Sequence, residues 1–300
     1  MTIRPPRLKE GDRIGVIAPA GPVDRPEILP GIALLESFGF EVFESPHLFE
    51  RQGYLAGDDQ SRLNDLHAMY RDERVKAILC ARGGFGTLRL IDRIDFDLIR
   101  ENPKITVGYS DITALLLAIH KKTALITFHG PNLRDLGRNE NRNLEALLKL
   151  VSFGGSMNLD FSEGREIRGG RATGTLLGGN LSLICHLVGT PYLPSLQGAL
   201  LFIEERGESL YRIDRMISHL KLSGLLDGCV GLMAGSFEEC GDLSSIELLL
   251  EESLSDLDIP MVGGLQVGHG KENIPLPMGV QASLDTARMT LSITEACVGP

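Results

Sequence analysis

Nowhere does the chain run through the roughly 18 consecutive apolar residues that a membrane span requires. Its first stretch, MTIRPPRLKEGDRIGVIAPAGP, sets Lys9, Glu10, Asp12 and Arg13 ahead of a short apolar run closed by Pro19, which is not the layout of a signal peptide. A cytoplasmic location is the expectation. Positive charge is in short supply as well: 30 Lys and Arg face 40 Asp and Glu, giving a formal net charge of −10 and a pI near 5.2. Phosphate backbones and anionic lipid surfaces are held by clustered cations, so no nucleic acid and no membrane partner is expected. Cysteine is sparse and unpatterned. Cys80, Cys185, Cys229, Cys240 and Cys297 form an odd set without a CxxC pair, which fits neither a disulfide framework nor a zinc knuckle. Only Cys185 has an adjacent histidine, His186, in an apolar helical stretch, and packing accounts for both. With no HExxH and no compact His, Asp or Glu cluster, neither a metal nor a cofactor is expected.

What the chain does contain is an ordinary globular mixture, 43% hydrophobic and 23% charged. Its 300 residues suit two domains better than one core. In the first half, β-rich runs at 13–20, 40–45, 75–81, 104–108 and 123–128 alternate with stretches that read as helices near 26–38, 59–70, 86–94, 111–122 and 140–152. Such alternation predicts an α/β fold with a flavodoxin-like parallel sheet over residues 1–155. A glycine-dense segment follows and reads as a linker over 156–175. Residues 176–300 form a smaller C-terminal α/β domain, with helices near 181–188, 211–222 and 244–254 and strands near 199–205, 229–237 and at the end of the chain.

The sharpest local feature is KITVGYSDITALLLAIHKK, a buried strand running through Gly108 and Tyr109 to Ser110 and then into a helix whose apolar face is Ile112, Leu115, Leu116 and Ile119. The C-terminal ends of parallel strands are where such sheets bind ligands. A helix N-terminus there can stabilise an alkoxide or an oxyanion. The segment looks like the nucleophile elbow of hydrolases, although GYSDI is not GxSxG. An N-cap serine, with Asp111 adding first-turn charge, accounts for the same residues. A second strand-to-helix turn, ARGGFGT, frees its backbone at Gly83, Gly84 and Gly86 but lacks both the GxGxxG spacing and a P-loop lysine. The amides of Gly84 and Asp111 would make an oxyanion hole if their strands are neighbours.

A serine nucleophile needs a base and an orienting acid. Of seven histidines, His269 stands in a glycine-rich loop, GGLQVGHGKENIPLPMG; His129, in FHGP after a strand, is its rival. His120, His186 and His219 fall in helices, and His47 and His67 read as superficial. Glu204 and Glu205 end the strand ALLFIEE, where a carboxylate can fix a histidine tautomer, or merely form a solvated acidic turn.

Together these segments resemble the LD-carboxypeptidase, or muramoyltetrapeptide carboxypeptidase, family of serine peptidases. The resemblance is carried by GDRIGVIAPAGP, GYLAGDDQSRLNDL, ARGGFG, GYSDIT, FHGP, LLGGNLSL, FIEERGESLYRIDRM and VGHGKENIPLPMG, in that order along nearly the whole chain. It implies Ser110 as nucleophile, His269 as base and Glu204 as the acid, with Glu205 the second choice, and an active site between the two domains. It also implies a homodimer. The substrate would be a small muropeptide from which terminal D-alanine is removed in cell-wall recycling, with Arg82 or Arg206 facing the free carboxylate and Asn180 a further substrate-binding residue. A branch of the same family hydrolyses microcin C-type peptidyl nucleotides and stacks the base on an aromatic residue of an added loop. The chain has no tryptophan, 5% aromatic residues and no evident insertion, which favours the muropeptide over the nucleotide. A catalytically silent muropeptide-binding protein on the same scaffold is the remaining alternative.

Overall fold

A computed structural model describes residues 2–136 and 142–300. Five parallel strands, β1 (Arg13–Ile17), β2 (Glu41–Glu44), β3 (Val75–Cys80), β4 (Ile105–Gly108) and β5 (Thr127–His129), lie in the order β5-β4-β3-β1-β2. Read from the other edge this is the flavodoxin-like order 2-1-3-4-5. Alternation along the strands sorts their side chains to two faces. Ile14, Val16, Ala77, Leu79, Ile105 and Val107 pack with α1 (Arg25–Ser37) and α6 (Arg142–Ser152), whereas Ile17, Ile78 and Cys80 pack with α2 (Asp59–Arg71) and α4 (Ile112–Thr123). Between them lie the short helices α3 (Phe96–Glu101) and α5 (Leu133–Leu136).

The second sheet has eight strands in the order β6-β14-β13-β8-β9-β10-β11-β7. Its centre, β8 (Arg171–Asn180), β9 (Ala199–Arg206), β10 (Gly231–Glu238) and β11 (Met261–Gly263), is parallel. Antiparallel partners flank it: β6 (Met157–Asp160), β7 (Arg165–Arg168), β13 (Val280–Asp285) and β14 (Thr290–Ile293). Helices α7 (Leu181–Leu187), α8 (Leu210–Leu222) and α9 (Leu243–Ser253) complete this half. One strand crosses over: β12 (Leu276–Met278) joins the first sheet, antiparallel to β5.

Helix α4 is buried on every side from Ile112 to Ile119 and meets solvent only in its last turn, at His120, Lys121 and Lys122. Ile112, Leu115, Leu116 and Ile119 enter the first core, while Ala114, Leu117 and Ala118 meet Leu181, Ile184 and the strand residues Leu201 and Ile203 of the second. The helix that follows Ser110 is thereby wedged between both sheets.

Three local expectations change. The helix expected at 86–94 is a pair of 3-10 turns, Thr87–Arg89 and Ile91–Arg93, because the groups that would start it are engaged elsewhere. The Gly86 carbonyl accepts from the buried Arg62 guanidinium (3.0 Å), and the Thr87 amide donates to Asp111 (2.9 Å). The glycine-dense stretch 156–175 is not bare linker but carries β6, β7 and the start of β8. There Met157 and Leu159 alternate with polar neighbours and pack on the large core, and Ile167 packs on the second, a period-two signal diluted by the glycines around it. The helix expected at 140–152 is described from residue 142; its first two positions fall outside the described residues. Among the described residues no helix is long and apolar enough to cross a membrane.

Candidate active site

Ser110 follows the C-terminal end of β4 and adopts φ +65°, a left-handed conformation that costs a non-glycine residue roughly 1–2 kcal/mol. The helix cap is Asp111, one residue later, so the simple capping account of Ser110 does not hold. Nor does Asp111 use its carboxylate on the helix: Oδ2 accepts from the Thr87 amide at 2.9 Å, and the Thr87 hydroxyl donates to the Asp111 carbonyl at 2.7 Å. This buried reciprocal pair locks the ARGGFGT loop to the serine turn. Burial pushes the Asp111 carboxyl pKa up, against the Thr87 hydrogen bonds that lower it.

β3 and β4 are adjacent and parallel, so the glycine loop and the serine turn emerge side by side. Gly83 is a close-approach glycine: a Cβ there would stand 2.7 Å from Cβ and 2.9 Å from Oγ of Ser110. Gly84 (φ +116°) lines the same cleft as Ser110, the setting required for its amide to face a developing oxyanion beside that of Asp111.

On the opposite side, the strand end of β9 brings Glu204 beneath the loop that carries His269. Glu204 Oε2 lies 2.6 Å from His269 Nδ1 and also accepts from the His269 amide at 3.3 Å. Glu204 is fully buried, and the His269 side chain is only 9% exposed. Burial pulls the His269 pKa down, but the hydrogen bond and charge of Glu204 outweigh it and the net shift is upward. Gly268, at φ +108°, makes the contact possible, because a Cβ there would meet Glu204 Oε2 at 2.5 Å.

Glu205 turns to other work. Its carboxylate accepts from Asn180 Nδ2 (2.8 Å), the Ser182 amide (2.8 Å), the Ser182 hydroxyl (2.7 Å) and the Arg206 amide (2.9 Å), fastening the start of α7. His129 is 1% exposed, buried against Tyr109 (6.0 Å between rings) and Phe202 (5.0 Å), and neither ring nitrogen has a hydrogen-bond partner among the described residues. Burial, then the charge of His269, pushes its pKa down to about 3. It does not line the cleft. Tyr109 packs its ring 4.8 Å from that of His269. His47 keeps a partly exposed side chain and is paired with the buried Asp65 at 2.7 Å.

The cleft encloses about 410 Å³ between Arg82, Gly83, Gly84, Ser110, Asn180 and His269. Arg82 donates to the Pro22 carbonyl at 3.0 Å and has no carboxylate partner at ion-pair distance among the described residues, whereas Arg206 is paired with Glu239 at 2.8 Å. Asn180 caps α7 through Oδ1 (3.2 Å from the Leu183 amide) while its Nδ2 serves Glu205, so most of its side chain is committed to the fold. The cleft also holds Tyr109, Asn132, Arg134 and Glu208, which the sequence did not single out. Adjacency to Ser110 was the one available signal for Tyr109. The five cysteines are all free thiols, and among the described residues no three His, Cys, Asp or Glu side chains group to hold a metal ion.

A strained serine facing a carboxylate-bound imidazole across one cleft is equipment for nucleophilic acyl transfer. The chain belongs to the LD-carboxypeptidase family: residues 14–130 match the LD-carboxypeptidase N-terminal domain and residues 173–284 the LD-carboxypeptidase C-terminal domain. It is 41% identical over 304 residues to the "Probable murein peptide carboxypeptidase" of Bacillus subtilis (strain 168), covering 98% of this chain and 95% of that one. The solved muramoyltetrapeptide carboxypeptidase from Oxalobacter formigenes superposes with a TM-score of 0.85 at 30% identity, covering 94% of this chain and 99% of that one. An MccF-like protein from Bacillus anthracis gives a TM-score of 0.93 at 29% identity, covering 98% and 100%.

Proposed function

We propose that this chain is a serine carboxypeptidase that releases the terminal D-alanine of murein tetrapeptides by cutting the L,D bond before it. Ser110 is the nucleophile, His269 its base and Glu204 the residue that holds the imidazole tautomer and stabilises its charged form. His269 takes the Ser110 proton as Oγ attacks the carbonyl, and the amides of Gly84 and Asp111 receive the oxyanion. Collapse expels the amine of D-alanine, which takes the proton from His269. Water then releases the acyl-enzyme by the same route. Arg82, the cleft cation without a carboxylate partner among the described residues, faces the free terminal carboxylate. Asn180 shapes the wall beside it.

The single observation that carries this reading is the 2.6 Å His269–Glu204 contact on the wall of the cleft into which Ser110 projects. The family supplies the substrate class. A cytoplasmic homodimer of two-domain subunits, divided near 155–176, belongs to the same proposal. The test is mass spectrometry of L-Ala-γ-D-Glu-meso-diaminopimelate-D-Ala after incubation with wild type and with Ser110→Ala, beside an all-L peptide and a peptidyl acyl-adenylate analogue. Loss of D-alanine with wild type alone supports the proposal. Cleavage of the adenylate analogue alone would transfer the chain to the microcin-type reading, and no cleavage of any substrate would favour the silent binding protein.

A further inference from the structure

The central ladder of the second sheet breaks at one place. β10 runs parallel to β9 as far as Ala234, opposite Ile203, and resumes at Phe237, opposite Glu205, so Gly235 and Ser236 together stand against Glu204 alone. A β-bulge of this kind re-aims a side chain, and such bulges recur beside active sites. Here the residue opposite is the carboxylate that holds His269.

Along its other edge, β10 carries the chain that leads to His269. β11 pairs with it at Leu232 and Met233. Past the end of β11, the Leu265 amide donates to the Ala234 carbonyl at 3.2 Å and the Ser236 amide donates to the Val267 carbonyl at 2.8 Å. The Ser236 hydroxyl then accepts from the Gly270 amide at 2.9 Å. A single residue thus grips the loop two positions before the imidazole and one position after it. Gly235 permits this approach, because a Cβ there would collide with the Val267 carbonyl oxygen and stand 2.8 Å from the Phe202 ring.

The amides between these two grips are held by other side chains. That of Gly268 donates to Asn273 Oδ1 at 2.9 Å, and that of His269 donates to Glu204 at 3.3 Å. Each backbone amide from Gly268 to Gly270 therefore has a side-chain acceptor, the kind of support that keeps a reacting group within a fraction of an ångström of its working position. Ser236 is not among the residues that line the cleft, so it acts on the chemistry only through His269.

Resting on the reading of His269 as the base, we propose that Ser236 is a positioning residue: the bulge presents its amide and hydroxyl to the His269 loop and so holds the imidazole between Glu204 and Ser110. Removal of the hydroxyl leaves the Gly270 amide without its acceptor and lets the ring drift from Glu204. The substrate-facing walls of the cleft keep their places.

The test measures turnover of the tetrapeptide and its pH profile for wild type, Ser236→Ala, Ser236→Thr and Gly235→Ala, beside the proton NMR signal of the His269 ring N–H that faces Glu204. Ser236→Ala should lower kcat about ten- to hundredfold, since displacement of a reacting group by about 1 Å costs on the order of 10²-fold in rate. KM should stay close to wild type. The acid limb of kcat/KM should move down as the Glu204 contact loosens. The charged and titratable groups that act on the imidazole, Glu204, Arg206, Glu205, His129 and Glu239, are the same in every variant, so a moved midpoint reports a moved ring. The N–H signal should shift with it. Ser236→Thr, which keeps the hydroxyl, should restore both, and Gly235→Ala, which pushes on the Val267 carbonyl, should reproduce the loss. Wild-type kcat and midpoint in Ser236→Ala, or a lower kcat with midpoint and signal unmoved, would overturn the proposal. If wild type releases no D-alanine while Ser236→Ala still shifts the N–H signal, the carboxypeptidase reading falls and the positioning of His269 stands.

Discussion

Glu204 and Glu205 are consecutive in β9 yet hold different partners: Glu204 Oε2 sits 2.6 Å from His269 Nδ1, while Glu205 fastens Asn180 and Ser182 at the start of α7. Strand geometry sends successive side chains to opposite faces. The two carboxylates can therefore be separated by experiment. Glu204→Gln should lower kcat about 10³- to 10⁴-fold, as expected when a histidine loses the partner that fixes its tautomer. Glu205→Gln removes a buried, four-fold accepting carboxylate and should cost about 1–3 kcal/mol of stability. Turnover assays beside thermal melts of both variants check the pair; equal kinetic damage would contradict the division of labour.

The pH dependence has a defined sign. His269 must be neutral to accept the Ser110 proton, and its pKa lies above the ordinary 6.5 because Glu204 outweighs the opposing effect of burial. The acid limb of kcat/KM should therefore have its midpoint above 6.5, and in Glu204→Gln that midpoint should move down. For stability, a raised folded-state pKa means that the native protein holds a proton which the unfolded chain releases. That contribution is full below the unfolded pKa and lost as pH rises through the folded one. The Tm advantage of wild type over Glu204→Gln should shrink as pH rises past 6.5 and through the raised folded-state pKa. A gap that widens would refute the assignment.

Ser110→Ala and Ser110→Gly should both abolish hydrolysis but differ in stability. Alanine inherits φ +65°, so Ser110→Ala should melt close to wild type. Glycine relieves roughly 1–2 kcal/mol of left-handed strain against about 0.4–1 kcal/mol of added unfolded-state entropy. The expected net gain for Ser110→Gly is roughly 0–1.6 kcal/mol, read by denaturant unfolding. Indistinguishable unfolding curves for the two variants would mean that the turn is not strained.

Gly83→Ala places a methyl carbon 2.9 Å from Ser110 Oγ, closer than real Cβ contacts allow. The serine turn must move, and displacement of a reacting group by about 1 Å costs on the order of 10²-fold in rate. The expected outcome is a kcat loss of that size with the fold intact by circular dichroism.

The first sheet was legible because short β-rich runs such as GVI and AILC alternate with helical stretches, which points to parallel strands. The residues brought together at the cleft were legible one at a time: Ser110 by its position at a strand end, His269 by its glycine-rich loop, Glu204 by its strand end. Their mutual distances were not, since they lie 94 and 65 positions apart in sequence. Only the family resemblance ranked Glu204 over Glu205; strand parity and the packing of α7 give each a different neighbour. His129 was the rival of His269 in the sequence, and its burial against Tyr109 and Phe202, with the Glu204 contact made by His269 alone of the two, separates them. The strands of the 156–175 segment were hidden because glycine masks an alternating pattern that only Met157, Leu159 and Ile167 carry.

The course of the chain around His269 has a further meaning. The imidazole rides on the span between β11, which belongs to the second sheet, and β12, which is stitched to β5 in the first. That span is anchored at both ends to different bodies, so a swap of the C-terminal half between relatives would tear β12 from its seat unless it leaves that strand with its host. Exchanging the second sheet between relatives therefore needs one junction ahead of β12 and another after it, and the histidine's loop must fit β11 of one parent and β12 of the other.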